Sequence, residues 1–217
     1  MSGRVYTGFF VGEGTSDLPL ADIVETLFID RGTQVRLSKP DFESLKGVRR
    51  DVRSKVSASI QLVGGPVDLV VVHRDADNAG ADTRRNEIEE AVHAAGHCSS
   101  IVPVIPVRMT EAWLLLDEQS IRTVAGNPKG KMNLGLPASN RVEREPDPKQ
   151  LLKECLLKAS DATGRRRERA ANRFYEHRRH LLQRLDCAGP VTSLPSWKRL
   201  VADIESVIDQ WNGREDL

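Results

Sequence analysis

The sequence has few of the features that mark disulfide-stabilised or membrane-spanning proteins. Its 217 residues include only three cysteines, which are scattered and form no Cys-x-x-Cys pair. We therefore expect reduced thiols at Cys98, Cys155 and Cys187 in a cytoplasmic protein, with neither a disulfide framework nor a zinc ribbon. No apolar run approaches the roughly 18 residues that a membrane-spanning helix needs, and the first residues lack a signal-peptide pattern. No membrane attachment is expected.

The sequence also lacks a strong excess of charge of either sign. Its 32 lysines and arginines face 31 aspartates and glutamates, so any attraction to nucleic acid must come from a local group of charges. There is no Gly-x-x-x-x-Gly-Lys-Ser/Thr segment, and residues 126–130 are only weakly similar to that pattern. A P-loop nucleotide hydrolase is therefore disfavoured.

Strand-like and helix-like segments alternate over the first two-thirds of the chain. Short apolar strands are predicted at residues 4–11, 33–37, 68–72 and 100–107. The helices predicted between them include one capped by Thr15 or Ser16 and others over residues 44–62 and 83–95. This alternation predicts an α/β fold: a Rossmann-like parallel sheet of about four strands with helices on both faces. Prolines in the fourth strand favour an edge position or a bent strand.

The remainder of the chain has a different character. Residues 126–148 are rich in glycine, proline and asparagine, which predicts a long loop or insertion. Only helices are predicted after it: one from Pro148, one over residues 163–185, and an amphipathic one that carries Trp197 and Trp211 as core residues. We therefore divide the chain into an α/β domain at 1–125, the loop at 126–148, and a helical extension at 149–217 packed on the same core.

Acidic residues follow three of the predicted strands. Glu13 lies between two glycines after the first strand, Asp75 and Asp77 follow the third, and Glu111 follows the fourth. Parallel strands end at one edge of the sheet, where open α/β sheets bind ligands, so we expect these side chains to lie close together. Side chains two residues apart in an extended chain point the same way, which would pair Asp75 with Asp77. Carboxylates suit Mg²⁺ or Mn²⁺, so a metal site is favoured over an aspartate-rich turn.

Several segments resemble a known family. The turn at residues 12–17, followed by Asp75 and Asp77, resembles the Toprim domain of topoisomerases, bacterial-type primases and overcoming-lysogenization-defect nucleases. The closer similarity is to the stand-alone Toprim-like proteins of the domain-of-unknown-function group 4276, through residues 11–15, 106–115 and 148–152. The resemblance implies that Glu13, Asp75 and Asp77 hold Mg²⁺ or Mn²⁺ for phosphoryl transfer, and that Glu111 matches a further acid of the site. It also implies a partner ATPase in a bacterial phage-defence system.

The residues favour hydrolysis over the other reactions of this family. Topoisomerases of the fold use a tyrosine from another domain, whereas this chain has only Tyr6, expected in the core, and Tyr175. Water is the simpler nucleophile, which predicts a metal-dependent nuclease or nuclease subunit with Glu13 as a metal ligand or general base. A non-catalytic Toprim-like adaptor or sensor for a partner ATPase is the alternative. A homodimer is compatible with either function.

Positive charge is concentrated between residues 165 and 184, where eight arginines face two glutamates. Arginine forks bind phosphates through paired hydrogen bonds, so this segment is a candidate contact to DNA or RNA. An acidic partner surface or a solvated helix face would fit the same pattern. Arg74 and Arg108 adjoin the acidic residues, where they would bind phosphate or pair with a nearby acid. The candidate nucleic-acid contacts are Arg74, Arg108, Arg165, Arg166, Arg169 and Arg173.

Overall fold

A computed structural model describes residues 4–42, 44–45, 47–96 and 100–215. These residues form four strands and nine α-helices. The strands are β1 (Val5–Val11), β2 (Gln34–Ser38), β3 (Leu69–His73) and β4 (Ser100–Val104). The helices are α1 (Pro19–Ile29), α2 (Val52–Val63), α3 (Ala81–Ala94), α4 (Glu111–Leu114), α5 (Glu118–Val124), α6 (Pro148–Ala159), α7 (Gly164–Asn172), α8 (Phe174–Gln183) and α9 (Pro195–Glu215).

The four strands form one parallel sheet in the order β2-β1-β3-β4. This confirms the predicted α/β fold with a Rossmann-like parallel sheet of four strands. All five residues of β3 are buried, as its continuous apolar run predicts for an inner strand covered on both faces. The proline-containing β4 lies at the edge, where a residue without an N–H donor is tolerated.

The strand order reverses direction between β1 and β3. The chain moves from β1 outward to β2, then crosses back over β1 to β3 and continues outward to β4. Right-handed crossovers place α1 on one face of the sheet and α2 and α3 on the other, and α2 indeed packs against α3. The carboxyl ends of β1 and β3 therefore flank a topological switch point, the usual place for a ligand in this class of fold.

Aromatic side chains of β1, α1 and α9 pack together on one face of the sheet. Trp211 of α9 stacks on Tyr6 of β1, with ring centroids 3.8 Å apart and planes 8° from parallel, and it also contacts Phe28 of α1. Its indole N–H donates a hydrogen bond to the hydroxyl of Ser100 at 3.0 Å. Tyr6 and Trp211 are both buried, which confirms that they belong to the core.

The described chain divides into two compact units. The first comprises residues up to 74, 79–105 and the chain from 198, and it contains the whole sheet. The second comprises residues 75–78 and 106–197. In the second unit Trp113 and Trp197 pack edge to face, 5.1 Å apart, and Trp113 donates a hydrogen bond to Ser196 at 2.8 Å. These units cut across the boundaries predicted at residues 125 and 148.

Three helices differ from their predicted limits. The helix predicted from residue 44 begins only at Val52, because Asp51 caps it by accepting a hydrogen bond from the Ser54 amide, and Gly47 has a left-handed φ of 87°. Thr15 opens a single 3₁₀ turn rather than capping α1, which begins at Pro19. The helix predicted over 163–185 is two helices, separated at Arg173; α7 buries no residue, whereas α8 buries one face.

Among the described helices, none is both long and apolar enough to cross a membrane. Cys155 is buried, and Cys187 is partly exposed with its thiol near the carbonyl oxygen of Leu185. Burial raises the pKa of the Cys155 thiol. The remaining cysteine, Cys98, lies outside the described residues.

Candidate functional site

Glu13 lies in the turn that follows β1, at the switch point of the sheet. Its side chain is 35% exposed, and its Oε1 lies 3.2 Å from Nη1 of Arg74, the residue after β3. Arg74 also approaches Glu87 at 3.6 Å. The buried Nε–H of Arg74 has no hydrogen-bond partner among the residues described. The predicted acid and the predicted arginine therefore meet in the first unit.

The backbone of the Glu13 turn is held by a buried lysine. Lys55 of α2 is only 7% exposed. Its ammonium group donates hydrogen bonds to the carbonyl oxygens of Gly12 at 2.7 Å and Glu13 at 3.0 Å. Burial lowers the pKa of Lys55, although the nearby carboxylates of Glu13 and Asp17 favour its charged form. Two carbonyls at the head of the turn are thus fixed by one cation.

The other side of the turn is held by Asp17. Its carboxylate accepts a hydrogen bond from the amide of Gly14 at 3.0 Å, while its own amide donates to the Gly14 carbonyl at 3.1 Å. His73, the last residue of β3, is buried with its Nδ1 3.7 Å from Asp17 Oδ2. Sequence reasoning missed both Lys55 and Asp17 as supports of Glu13. The three-residue spacing from Gly14 to Asp17 is typical of a capping box, so a signal for Asp17 existed.

Asp75 belongs to the second unit, two residues after β3 ends. Its Oδ1 accepts two hydrogen bonds from Thr110, one from the amide at 3.0 Å and one from the hydroxyl at 3.1 Å. Thr110 is the residue before α4, but its side chain makes no capping bond there. The hydroxyl instead orients the carboxylate of Asp75.

Asp77 is exposed and has an unusual backbone conformation. Its φ is 46°, and its amide donates to the carbonyl oxygen of Arg108, whose φ is 59°. Left-handed backbone is disfavoured for residues with a Cβ by roughly 1–2 kcal/mol, and such residues cluster at functional sites. Asp77 and Arg108 are two such residues, and a hydrogen bond of 3.0 Å joins them, so the backbone here is conformationally constrained.

Glu111 is buried rather than exposed at a sheet edge. Its Oε1 accepts a hydrogen bond from Nε of Arg178 at 2.8 Å, and the two side chains are 4% and 6% exposed. The arginine comes from α8, inside the segment predicted to present a basic surface. Glu111 and Arg178 therefore form a buried ion pair in the second unit.

The predicted metal ligands have the right chemistry for a hard cation, since all are carboxylates. Glu13 belongs to the first unit, and Asp75, Asp77 and Glu111 belong to the second. Within the described ranges, no group of three or more His, Cys, Asp or Glu side chains is placed to hold a metal ion. Mg²⁺ is commonly bound by only one or two carboxylates together with substrate phosphates, so the donors fit in kind without forming a preassembled triad.

The arginine-rich segment presents most of its charge to solvent. In α7, Arg165, Arg166, Arg167 and Arg169 are all exposed, and only Glu168 opposes them in charge. Arg173 is also exposed and pairs with Glu176, where its hydrogen bond lowers the pKa of that glutamate to about 2. Because α7 buries no residue, its arginines are available to bind an anionic partner.

No family model, curated protein or solved structure matches this chain. Its function must therefore be inferred from the chemistry of these residues.

Proposed function

We propose that this protein hydrolyses phosphodiester bonds with the aid of Mg²⁺ or Mn²⁺, as a Toprim-type nuclease or nuclease subunit. The observation that carries the proposal is the Glu13 turn. A partly exposed carboxylate follows an inner strand at the switch point, and a buried lysine and a buried aspartate fix its backbone. Catalytic groups need such support, because small displacements from productive geometry cost large factors in rate.

Glu13, Asp75 and Asp77 are the proposed metal ligands. A bound divalent ion lowers the pKa of a coordinated water and neutralises charge on the phosphate. Thr110 donates two hydrogen bonds to Asp75, which fix the direction of its carboxylate. Glu13 serves either as a ligand or as the general base that takes the proton from the attacking water.

Arg74 is the proposed group that stabilises negative charge on the phosphate. Its guanidinium lies beside the Glu13 carboxylate, with Nη1 3.2 Å from Oε1. A preorganised cation beside the reacting centre stabilises developing charge more strongly than a solvated one. Arg108, in a left-handed conformation next to Asp77, is the second candidate for this role.

DNA or RNA is the proposed substrate, with the exposed arginines of α7 binding its backbone. An ATPase of a cytoplasmic bacterial defence system is the proposed partner, on the basis of the family resemblance alone. Non-catalytic binding to that ATPase is the second candidate function. It is favoured by the burial of Glu111 in an ion pair and by the lack of a preassembled three-ligand group in the described chain.

The test is cleavage of labelled single-stranded and double-stranded DNA and RNA by the purified chain, with Mg²⁺, with Mn²⁺ and with EDTA. We expect cleavage only with a metal ion, and loss of at least about a hundredfold in Glu13→Gln and Asp75→Asn. Asp30→Asn, an exposed acid at the end of α1, is the matched control and should retain activity. Intact substrates under all conditions would refute hydrolysis and favour the adaptor. Cleavage that survives both substitutions would refute the assignment of this site.

A second measurement separates the two roles of Glu13. Titration with Mn²⁺, followed by electron paramagnetic resonance, gives the affinity for the metal independently of turnover. If Glu13 is a ligand, Glu13→Gln weakens Mn²⁺ binding as much as Asp75→Asn does. If it is the general base, Mn²⁺ binding is retained while cleavage is lost and its pH dependence changes.

A further inference from the structure

A cleft of about 580 Å³ lies beyond the carboxyl ends of β1 and β2, in the first unit. One wall is formed by the Glu13 turn, and the opposite wall by residues that follow β2 and precede α2. This volume falls in the range of 300–1,000 Å³ that is typical of small-molecule sites. The position, outside the ends of parallel strands, is where open α/β sheets bind ligands.

The lining of this cleft is basic. Among the residues that the structure describes, it includes four cations, Lys39, Arg49, Arg50 and Lys55, against two carboxylates. Lys39 is paired with Asp22, which leaves the two arginines and the buried lysine as the main sources of positive charge. By contrast, a larger cleft of about 670 Å³ between α2 and α3 is lined by three carboxylates and one arginine, Arg53. The two clefts therefore favour ligands of opposite charge.

The floor of the cleft includes a fixed ammonium group. Lys55 uses two of its three donor hydrogens on the Gly12 and Glu13 carbonyls, so its position does not depend on a ligand. Arg49 and Arg50 are exposed at the mouth, and each guanidinium has the fork geometry that matches a phosphate. A phosphate group suits a cleft lined by three such cations, because it carries about two negative charges and several acceptor oxygens.

The cleft also has an apolar part, which an inorganic anion would not use. Phe10, Leu18, Phe42 and Val48 contribute to its lining. The ring of Phe42 lies 5.5 Å from the Lys55 ammonium and is partly exposed. An aromatic ring next to a cationic group is the combination that holds a nucleobase and its phosphate together, since stacking on aromatic side chains stabilises bases of any sequence.

We propose that this cleft binds one phosphorylated nucleotide, with the phosphate held by Arg49, Arg50 and Lys55 and the base against Phe42. The nucleotide is either a free mononucleotide or the 5′-terminal nucleotide of a strand. The binding does not depend on hydrolysis. In the second case the cleft would also serve the proposed nuclease, by recognising a strand end next to Glu13.

The test is isothermal titration calorimetry in EDTA, so that metal-dependent hydrolysis neither creates nor hides binding. The probes are adenosine 5′-monophosphate, adenosine, and a short DNA oligonucleotide with either a 5′-phosphate or a 5′-hydroxyl. We expect the phosphorylated member of each pair to bind at least about tenfold more tightly, as charge-assisted hydrogen bonds predict. Tighter binding of the mononucleotide identifies a free ligand, and tighter binding of the phosphorylated oligonucleotide identifies a strand end.

The double variant Arg49→Gln with Arg50→Gln should weaken binding of the phosphorylated probe by about tenfold to a hundredfold. Arg53→Gln removes the same charge from an exposed arginine three residues away that lines the other cleft, and should leave binding unchanged. Circular dichroism checks that the variants are folded. The proposal would be overturned by equal binding of probes with and without phosphate, or by full binding to the double variant. It would also be overturned if neither phosphorylated probe binds at 1 mM, a concentration at which a binding free energy of about 4 kcal/mol is still detected.

Discussion

The buried ion pair between Glu111 and Arg178 leads to a quantitative stability prediction. The two groups are 2.8 Å apart and their side chains are 4% and 6% exposed, so neither charge is solvated. Removing one partner of such a pair takes the nearest counter-ion from the other buried charge, which typically costs about 3–5 kcal/mol. Glu111→Gln keeps the size and one acceptor oxygen, so we expect a loss near the lower end of that range.

Urea unfolding followed by circular dichroism measures this loss. With a denaturant dependence of about 2–3 kcal/mol per molar urea, a loss of about 3 kcal/mol lowers the midpoint by about 1–1.5 M. Arg178→Met should lower it by a similar amount. The double variant Glu111→Leu with Arg178→Met removes both charges and should recover most of the loss, because a buried pair is often replaceable by apolar residues.

The exposed pair of Arg173 and Glu176 on the neighbouring turn is the control, and Glu176→Gln should not shift the midpoint measurably. The reasoning is refuted if Glu111→Gln unfolds at the wild-type midpoint, or if the double variant is as unstable as the two single losses together. The same variants distinguish a structural role from the catalytic role implied by the family resemblance. A structural Glu111 predicts that folded Glu111→Gln protein retains any metal-dependent cleavage.

Three further predictions concern the sheet, a buried histidine and the Glu13 turn. Gly8→Ala should destabilise the fold by about 3 kcal/mol in urea, because its Cβ would lie 2.2 Å from a backbone oxygen of β3, whereas Gly65→Ala meets no atom within 4 Å and should be neutral. Burial lowers the pKa of His177, so the unfolded chain takes up a proton first as the pH falls below 6.5. Stability should therefore decline below that pH, and less steeply in His177→Gln. Lys55→Met should speed amide hydrogen exchange across residues 12–17, measured by mass spectrometry, because two carbonyls lose their donor.

The strands could be predicted well because their signal is local. A short apolar run bounded by polar residues is typical of a strand in any parallel sheet. Pro103 and Pro106 favoured an edge position or a bend for the last strand, and the edge position is the one observed. The strand order is not local, since it depends on which helix crosses the sheet, and the sequence pattern did not reveal it. The predicted helix limits were wrong where a single interaction decides them. Asp51 caps α2, so this helix begins at Val52, eight residues after its predicted start.

The candidate site could be predicted only in part, for a related reason. Glu13 was identifiable because the glycines on either side of it are unusual after a strand. The role of Lys55 was not, because it lies on α2, about forty residues along the chain, where a lysine on a polar helix is ordinarily solvated. The burial of Glu111 was missed because its counter-ion, Arg178, is 67 residues away and belongs to a segment dominated by exposed arginines.

The buried Lys55 also indicates why the Glu13 turn is suited to hold a catalytic or ligand-binding group. A buried ammonium group is costly, and its lowered pKa reflects that cost. An apolar side chain at this position would avoid the desolvation but would leave the Gly12 and Glu13 carbonyls without a donor. Lys55 therefore fixes the backbone on the strand side of Glu13 at a cost in folding stability. Asp17 fixes the backbone on the helix side. A rigid turn that holds a partly exposed carboxylate beside a basic cleft fits both the proposed phosphodiester hydrolysis and the proposed nucleotide binding, because each requires a charged group that is oriented before the ligand arrives.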